Sequence, residues 1–320
     1  MKKRTGITLI VAFVLIFAGG LTFALGMNKL NWDFRELSMS KYTTNAYEIN
    51  SDYENISLNS KNAIIKIVPS LDEKTTISCF DQEHITYSTS VIDNTLNLDF
   101  VDGRKWYNKI FDFKLPRITI SLPSGEYGNL SINSRTSDVI ISNDFTFNNL
   151  NINLSTGDVN TSATLKGIAK ITTSTGDIKI NNITATDLDL SVTTGDISIK
   201  NTTCTGEIKV FVDTGECELE NVKCKSLFST GDTGDIELDN FIASEKISIQ
   251  RDTGDVSFSR VDAAELYIKT STGDVEGSIL TDKIFAVKSS SGHVRVPSST
   301  TGGICEVSTS TGDIKLWIYQ

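Results

Sequence analysis

A Thr-Gly-Asp triplet, or a near variant of it, recurs every 19 or 20 residues from Thr136 to Asp313. Its middle residue is Ser137, Gly157, Gly176, Gly195, Gly215, Gly234, Gly254, Gly273, Gly292 and Gly312 in turn. At so short a period each copy is one supersecondary unit that cannot bury its apolar side alone. Successive copies must therefore stack and share a continuous core. The expected fold is an all-β, single-chain parallel β-solenoid of about 19–20 residues per coil.

The residues around the triplet support strands. Two positions after the middle residue stand Val139, Val159, Ile178, Ile197, Cys217, Ile236, Val256, Val275, Val294 and Ile314. Four positions after it most copies carry Ile, Leu, Val or Phe, with Thr161 and Gly277 as exceptions. The residue between is polar in nearly every copy, which is the period-two alternation of a strand with one buried face. A second strand precedes the triplet, as in Leu188, Leu190 and Val192, or Ile208, Val210 and Val212. Equivalent strands pair in parallel at about 4.8 Å, so ten coils predict a rod roughly 45–50 Å long.

The corners are legible too. Glycine supplies a turn backbone that a Cβ would obstruct, and the flanking Thr and Asp can bond nearby backbone groups, each carboxylate at its own turn. Six residues on, Asn143, Asn182, Asn201, Asn221 and Asn240 predict a left-handed corner and an amide ladder along the rod. Nine residues on, Ala185, Cys204, Cys224, Ala243 and Ala263 predict a tight bend with a small inward side chain.

Lys2, Lys3 and Arg4 precede an uncharged run over residues 6–27. At the helical rise this run reaches about 33 Å, enough to cross a bilayer. Positive charge before it predicts a cytoplasmic tail (1–5), a single transmembrane signal anchor (6–27) and an extracytoplasmic remainder, so a cell-membrane location. A cleaved signal peptide competes, but its apolar core is usually shorter and ends in small residues. Residues 28–45 read as a juxtamembrane connector, 46–130 as an irregular first part or cap of the solenoid, and 131–320 as the regular repeats. The last coil reads as incomplete, with Trp317 or Tyr319 placed to cover the end. The net charge of −10 lacks the basic footprint of a nucleic-acid binder.

Candidate sites are few. Cys204 and Cys224 share one phase in adjacent coils, which brings them within disulfide reach; the alternative is two free thiols in an alanine slot. Cys217 stands in a Val/Ile slot and reads as a buried hydrophobe. No cysteine pair has zinc-site spacing. His84 and His293 read as solvated, and neither a nucleophile elbow nor a phosphate loop is present. One acidic residue per coil makes a column, in which Asp177, Asp196, Asp235, Asp255 and Asp274 are the candidates for Ca²⁺; backbone bonding with solvent screening is the competing role. Residues 101–117 form a basic, aromatic island in which Arg104, Lys105, Trp106, Tyr107 and Lys109 suit an anionic envelope contact. The same island also suits a hairpin folded over the solenoid's end.

The stretch Leu115-Pro116-Arg117-Ile118-Thr119-Ile120-Ser121-Leu122-Pro123, followed by Leu130-Ser131-Ile132 and the triplet series, resembles the bacterial putative-adhesin family of unknown function that includes LiaG-like membrane proteins. The resemblance covers about residues 46–320. It implies an extracytoplasmic β-solenoid, often membrane-anchored, with no catalytic residues to carry over. The expected function is a non-enzymatic binding scaffold or adhesin at the cell envelope, without cofactors, whose partner is an envelope polymer or a membrane protein. The alternative is an accessory subunit in cell-envelope stress sensing. A carbohydrate-active enzyme would need its acidic residues gathered in a groove, whereas here they are spread one per coil.

Overall fold

In a computed structural model, residues 2–32, 42–82, 85–103 and 116–319 are described. After a helix at Lys2–Lys29 the described residues are mostly strand, joined into one sheet system that coils on itself.

One winding shows the rule. Strand Glu207–Thr214 runs to the turn at Gly215, and strand Cys217–Thr233 begins the next side. That strand bends at Asn221, tucks Cys224 inward and continues as the first side of the following winding. Alternate residues are buried along the way, as in Ile208, Val210, Val212, Cys217, Leu219 and Val222. Each large aliphatic side chain so buried contributes about 1.5–3 kcal/mol, and the entropy of ordering the chain offsets most of that sum.

Register fixes the stacking. One inward column runs Val139, Val159, Ile178, Ile197, Cys217, Ile236, Val256 and Val275, each residue opposite the next. The glycines stack equally closely: a Cβ on Gly195 would lie 2.3 Å from the carbonyl oxygen of Gly176. Gly195 holds φ +135°, and Gly157, Gly176, Gly215, Gly234, Gly254, Gly273 and Gly312 lie between +128° and +151°. Gly292 is outside this group. Ser137 needs no such backbone, because the chain runs straight through it within strand Gly125–Ile141; its hydroxyl instead accepts the Ala63 N–H at 3.1 Å.

Spatial order departs from chain order at both ends. Strand Asn55–Pro69 pairs with Gly125–Ile141 on one side. On its other side lie Thr95–Asp102 and Arg117–Leu122, which come later in the chain. Antiparallel strands then cover this end: Ile85–Ile92 on Thr95–Asp102, Thr75–Gln82 on Arg117–Leu122, and Tyr42–Ile49 on Thr75–Gln82. Such covering strands are a normal way to protect an open sheet edge.

At the far end, the winding before last is outermost. Strands Glu265–Thr272 and Val275–Ile279 pair with Gly303–Thr311 and Ile314–Ile318. Lys283–Ser291 and Val294–Arg295 lie beyond them. This corrects the expectation that the final coil ends the rod under Trp317 or Tyr319. Both remain substantially exposed, at 41% and 47%. The inserted last winding completes the core there, with Cys305, Val307, Ile314 and Leu316 buried.

Two exceptions in the repeat find steric reasons. Gly277 stands where a Cβ would meet the Phe258 ring at 2.3 Å, so the missing side chain makes room for the phenyl of the winding below. Thr161 is fully buried and turns its hydroxyl to the Ala163 N–H at 3.3 Å.

Candidate binding surfaces

The acidic column forms a backbone-to-carboxylate ladder. The Asp158 N–H donates to Asp138 Oδ1 at 3.1 Å, Asp177 to Asp158 at 2.9 Å, Asp196 to Asp177 at 3.1 Å and Glu216 to Asp196 at 2.8 Å. It resumes with Asp255 on Asp235 and Asp274 on Asp255, both at 2.7 Å. Each carboxylate thus accepts from the next winding, where an amide of its own turn was expected. Stacking at strand spacing puts the neighbouring winding's amide within closer reach. Glu216, one methylene longer, makes no such bond to Asp235 among the described residues.

Asp177 illustrates the electrostatics. Partial burial pushes its carboxyl up, but the Asp196 amide and the Lys179 ammonium, 3.0 Å from Oδ2, outweigh that and hold it below the ordinary carboxylate range. Among the described residues no three His, Cys, Asp or Glu side chains come together as a metal cluster.

The asparagine corner is as regular. Asn182, Asn201, Asn221 and Asn240 take left-handed backbone at φ 50–55°, and Arg260 takes the same slot at φ 53°. Asn143 lies outside this set. Amides link Asn221 to Asn201 at 3.1 Å and Asn240 to Asn221 at 2.8 Å. The column ends where Arg260 Nη2 meets both carboxylate oxygens of Asp239, at 2.8 and 2.7 Å.

A second ladder at another corner escaped the sequence reading. Asn55 Oδ1 accepts from the Asn129 N–H at 2.8 Å, Asn129 Oδ1 from Asn149 Nδ2 at 2.8 Å, and Asn149 Oδ1 from the Ile168 N–H at 3.0 Å. Asp187 then accepts from the Glu207 N–H at 2.6 Å. From Asn129 onward these positions stand eight residues before the turn. That phase mixes Asn, Ile, Asp and Glu, so residue type alone does not reveal it.

The slot three residues before the glycine also held a surprise. It carries Val192, Val212 or Thr270 in other windings but Arg251 here, 2% exposed. Its guanidinium donates to Ser229 Oγ at 2.9 Å and to the Gln250 carbonyl at 3.2 Å. Gly231 in the winding below leaves the space, since a Cβ there would lie 3.0 Å from Arg251 Nη1. Burial lowers the Arg251 pKa.

All five cysteines are free and buried. Burial pushes Cys79, Cys204, Cys217, Cys224 and Cys305 each up to about 12, which leaves very little thiolate at neutral pH. Cys204 and Cys224 occupy the small-residue bend with Ala185, Ala243 and Ala263, all buried. His293 is exposed, and its N–H donates to Asp313 Oδ1 at 2.7 Å. His84 and the island residues Arg104, Lys105, Trp106, Tyr107 and Lys109 lie outside the described residues. Of that island's cations, Arg117 is described, with its guanidinium 5.8 Å from the Phe80 ring centre.

Of the recesses on the lateral faces, two contrast in their chemistry. One, of about 330 Å³, is lined by charged side chains including Asp177, Lys179, Lys200 and Glu218. Lys200 pairs there with Glu218 at 2.7 Å and Glu220 at 3.1 Å. The other, of about 490 Å³, is lined by Asn143, Asn160, Ser162, Thr164, Asn182 and the exposed Ile140, with no ionisable side chain. The N-terminal helix presents Phe13, Ile16 and Phe17 more than 70% exposed, and Ile10–Lys29 is long and apolar enough to cross a bilayer.

Comparison with known proteins agrees with this architecture. The family model described as Toastrack DUF4097 matches residues 53–211 and again 205–320. A crystal structure described as a putative adhesin from Parabacteroides distasonis ATCC 8503 is similar at a TM-score of 0.51 and 12% identity. The match covers 87% of this chain and 98% of that one. One described likewise from Bacteroides fragilis NCTC 9343 gives 0.43 and 18%, over 88% and 99%. At 12% identity the likeness to the Parabacteroides distasonis structure concerns the fold alone. No curated protein matches the chain.

Proposed function

We propose, for a chain that belongs to the Toastrack DUF4097 family, the role of a non-enzymatic binding scaffold held at the cell envelope. The N-terminal helix serves as its membrane anchor, with the basic Lys2, Lys3 and Arg4 end in the cytoplasm and the solenoid outside. Adhesion to an envelope polymer is the activity that this reading favours, and the neighbours described as putative adhesins are consistent with it.

The observation that carries the proposal is the uncharged recess at Asn143, Asn160, Ser162, Thr164 and Asn182. Stacked windings repeat amide and hydroxyl groups at strand spacing along one direction. That spacing suits a hydroxyl-rich polymer, which needs donors and acceptors in series, and Ile140 offers an apolar contact beside them. An isolated mobile side chain would pay more ordering entropy per bond than these fixed ones.

The test is co-sedimentation of the full chain in detergent with purified cell-wall polymer. Ile140→Asp with Asn160→Ala alters two exposed residues and leaves the core intact. Loss of at least ten-fold in bound fraction is expected. Equal sedimentation of wild type and variant would refute the recess as the site.

A further inference from the structure

The distal tip of the solenoid is a strand edge, and its chemistry differs from that of the rest of the chain. Lys283–Ser291 has one strand neighbour, Gly303–Thr311, and Val294–Arg295 has one, Ile314–Ile318. Among the described residues nothing pairs with their outer side. The opposite end is covered by three antiparallel strands; this tip has no such cover. The inward-phase Phe285 and Val287 are only partly buried, while Cys305 and Val307 opposite them in the inserted winding are fully buried. Ile284 and Val294 are 46% and 45% exposed. An unpaired row of N–H and C=O groups flanked by uncovered apolar side chains is a template for an added strand.

Charge indicates which strand. Between residues 283 and 303 the chain has Lys283, Lys288 and Arg295 and no Asp or Glu, within a protein of net charge −10. This is also the winding in which His293 replaces the turn aspartate. Lys283 is buried against Asp262 at 2.6 Å. Lys288 and Arg295 are exposed and have no carboxylate partner among the described residues.

We propose that this tip docks an extended acidic segment of a partner protein by strand addition. The segment continues the sheet beyond Lys283–Ser291, and its carboxylates meet Lys288 and Arg295. A second copy of this chain pairing through the same edge would bring two net-positive edges together, and like charges facing across a strand pair are destabilising. The site is separate from the lateral recess and stands independently of polymer binding.

The full chain in detergent micelles is titrated into a fluorescein-labelled ten-residue peptide of alternating threonine and glutamate, and into its threonine–lysine counterpart. The glutamate peptide is expected to bind at least ten-fold more tightly, and to slow amide hydrogen exchange within Lys283–Ser291. Lys288→Glu with Arg295→Glu, both on exposed side chains, is expected to reverse the preference while the circular dichroism spectrum is unchanged. No binding of the glutamate peptide up to millimolar concentration, equal binding of both peptides, or a preference that survives charge reversal would overturn the proposal. So would a protein dimer at micromolar concentration whose amides are protected at this edge, since the second copy would then be the occupant.

Discussion

The backbone N–H of Asp313 donates to the Asp274 carboxylate at 2.7 Å across 39 residues, whereas the other consecutive rungs of that ladder span 19 or 20. The His293 N–H in turn donates to Asp313 at 2.7 Å. Hydroxyl bonds tell the same story: Thr309 reaches the Gly273 carbonyl at 3.1 Å and Ser289 reaches that of Gly312 at 2.8 Å. The last winding therefore slides between its two predecessors.

That order can be trapped chemically. Thr272 and Thr311 are register partners, so their α-carbons lie about one strand spacing apart, within disulfide range. Thr272→Cys with Thr311→Cys is expected to oxidise to near completion under mild oxidant. Thr272→Cys with Ser291→Cys, two spacings apart at roughly 9.6 Å, is expected to stay reduced. Non-reducing mass spectrometry after proteolysis distinguishes them, and the reverse result would restore chain order.

Gly195 is the sharpest point mutation in the turn column. Its φ of +135° and the 2.3 Å approach of a Cβ to the Gly176 carbonyl leave no room for alanine. Backbone strain of this kind alone costs about 1–3 kcal/mol. Gly195→Ala is expected to lower the unfolding free energy by at least about 2 kcal/mol, read from denaturant unfolding. Gly125→Ala, with open space around its Cβ position, is the control and is expected to change little.

Acid should loosen the turn column. The Asp177 pKa is depressed in the fold, so its contribution is fully present above the unfolded aspartate value of about 3.9. It is lost as pH falls through the lower folded value. Asp177→Asn is expected to melt below wild type at pH 6, with the gap narrowing as pH falls toward 2. A gap that persisted unchanged at pH 2 would contradict the linkage.

Thiol chemistry separates the two readings of Cys204 and Cys224. With all five thiols buried and raised to about 12, native protein is expected to resist iodoacetamide at pH 8. Unfolded without reductant, it should take five adducts. Three adducts, with Cys204 and Cys224 unlabelled, would mean that the pair is bridged.

Arg251 is a charge enclosed in the core, between Gly231 and Thr270 in register. Desolvation of a buried ion commonly outweighs what its bonds return. Arg251→Met keeps most of the volume and removes the charge, and is expected to leave stability unchanged or raise it by about 1 kcal/mol. A loss above about 3 kcal/mol in urea unfolding would show that the bonds to Ser229 and Gln250 dominate.

Much of the fold could be read from residues alone because each winding repeats the same demands. Apolar residues two and four places past the turn had to face inward, and Gly157 through Gly273 had to stack. What could not be read is the order of windings, since in-phase repeats offer one another equivalent partners: Val294 and Ile314 are equally suited to cover Val275. A hint was present, because Pro297, the one proline among residues 131–320, stands five residues after Gly292, where the corner of this winding falls. Without a third side, this winding is free to step outward. Arg251 and the ladder through Asn129 and Asn149 were hidden for a different reason: each depends on a neighbour 20 or more residues away. The candidate binding surfaces were the least legible. The recess at Asn160 arises from how corners of several windings line up, and no single repeat contains it.

Strand Ile314–Ile318 pairs along its length with Val275–Ile279, Val294–Arg295 covers only its first two residues, and the Tyr319 N–H bonds the Ile279 carbonyl at 2.8 Å. A fluorescent reporter or purification handle fused after the last residue would therefore be tethered to the inserted winding and not to the outermost strands Lys283–Ser291 and Val294–Arg295.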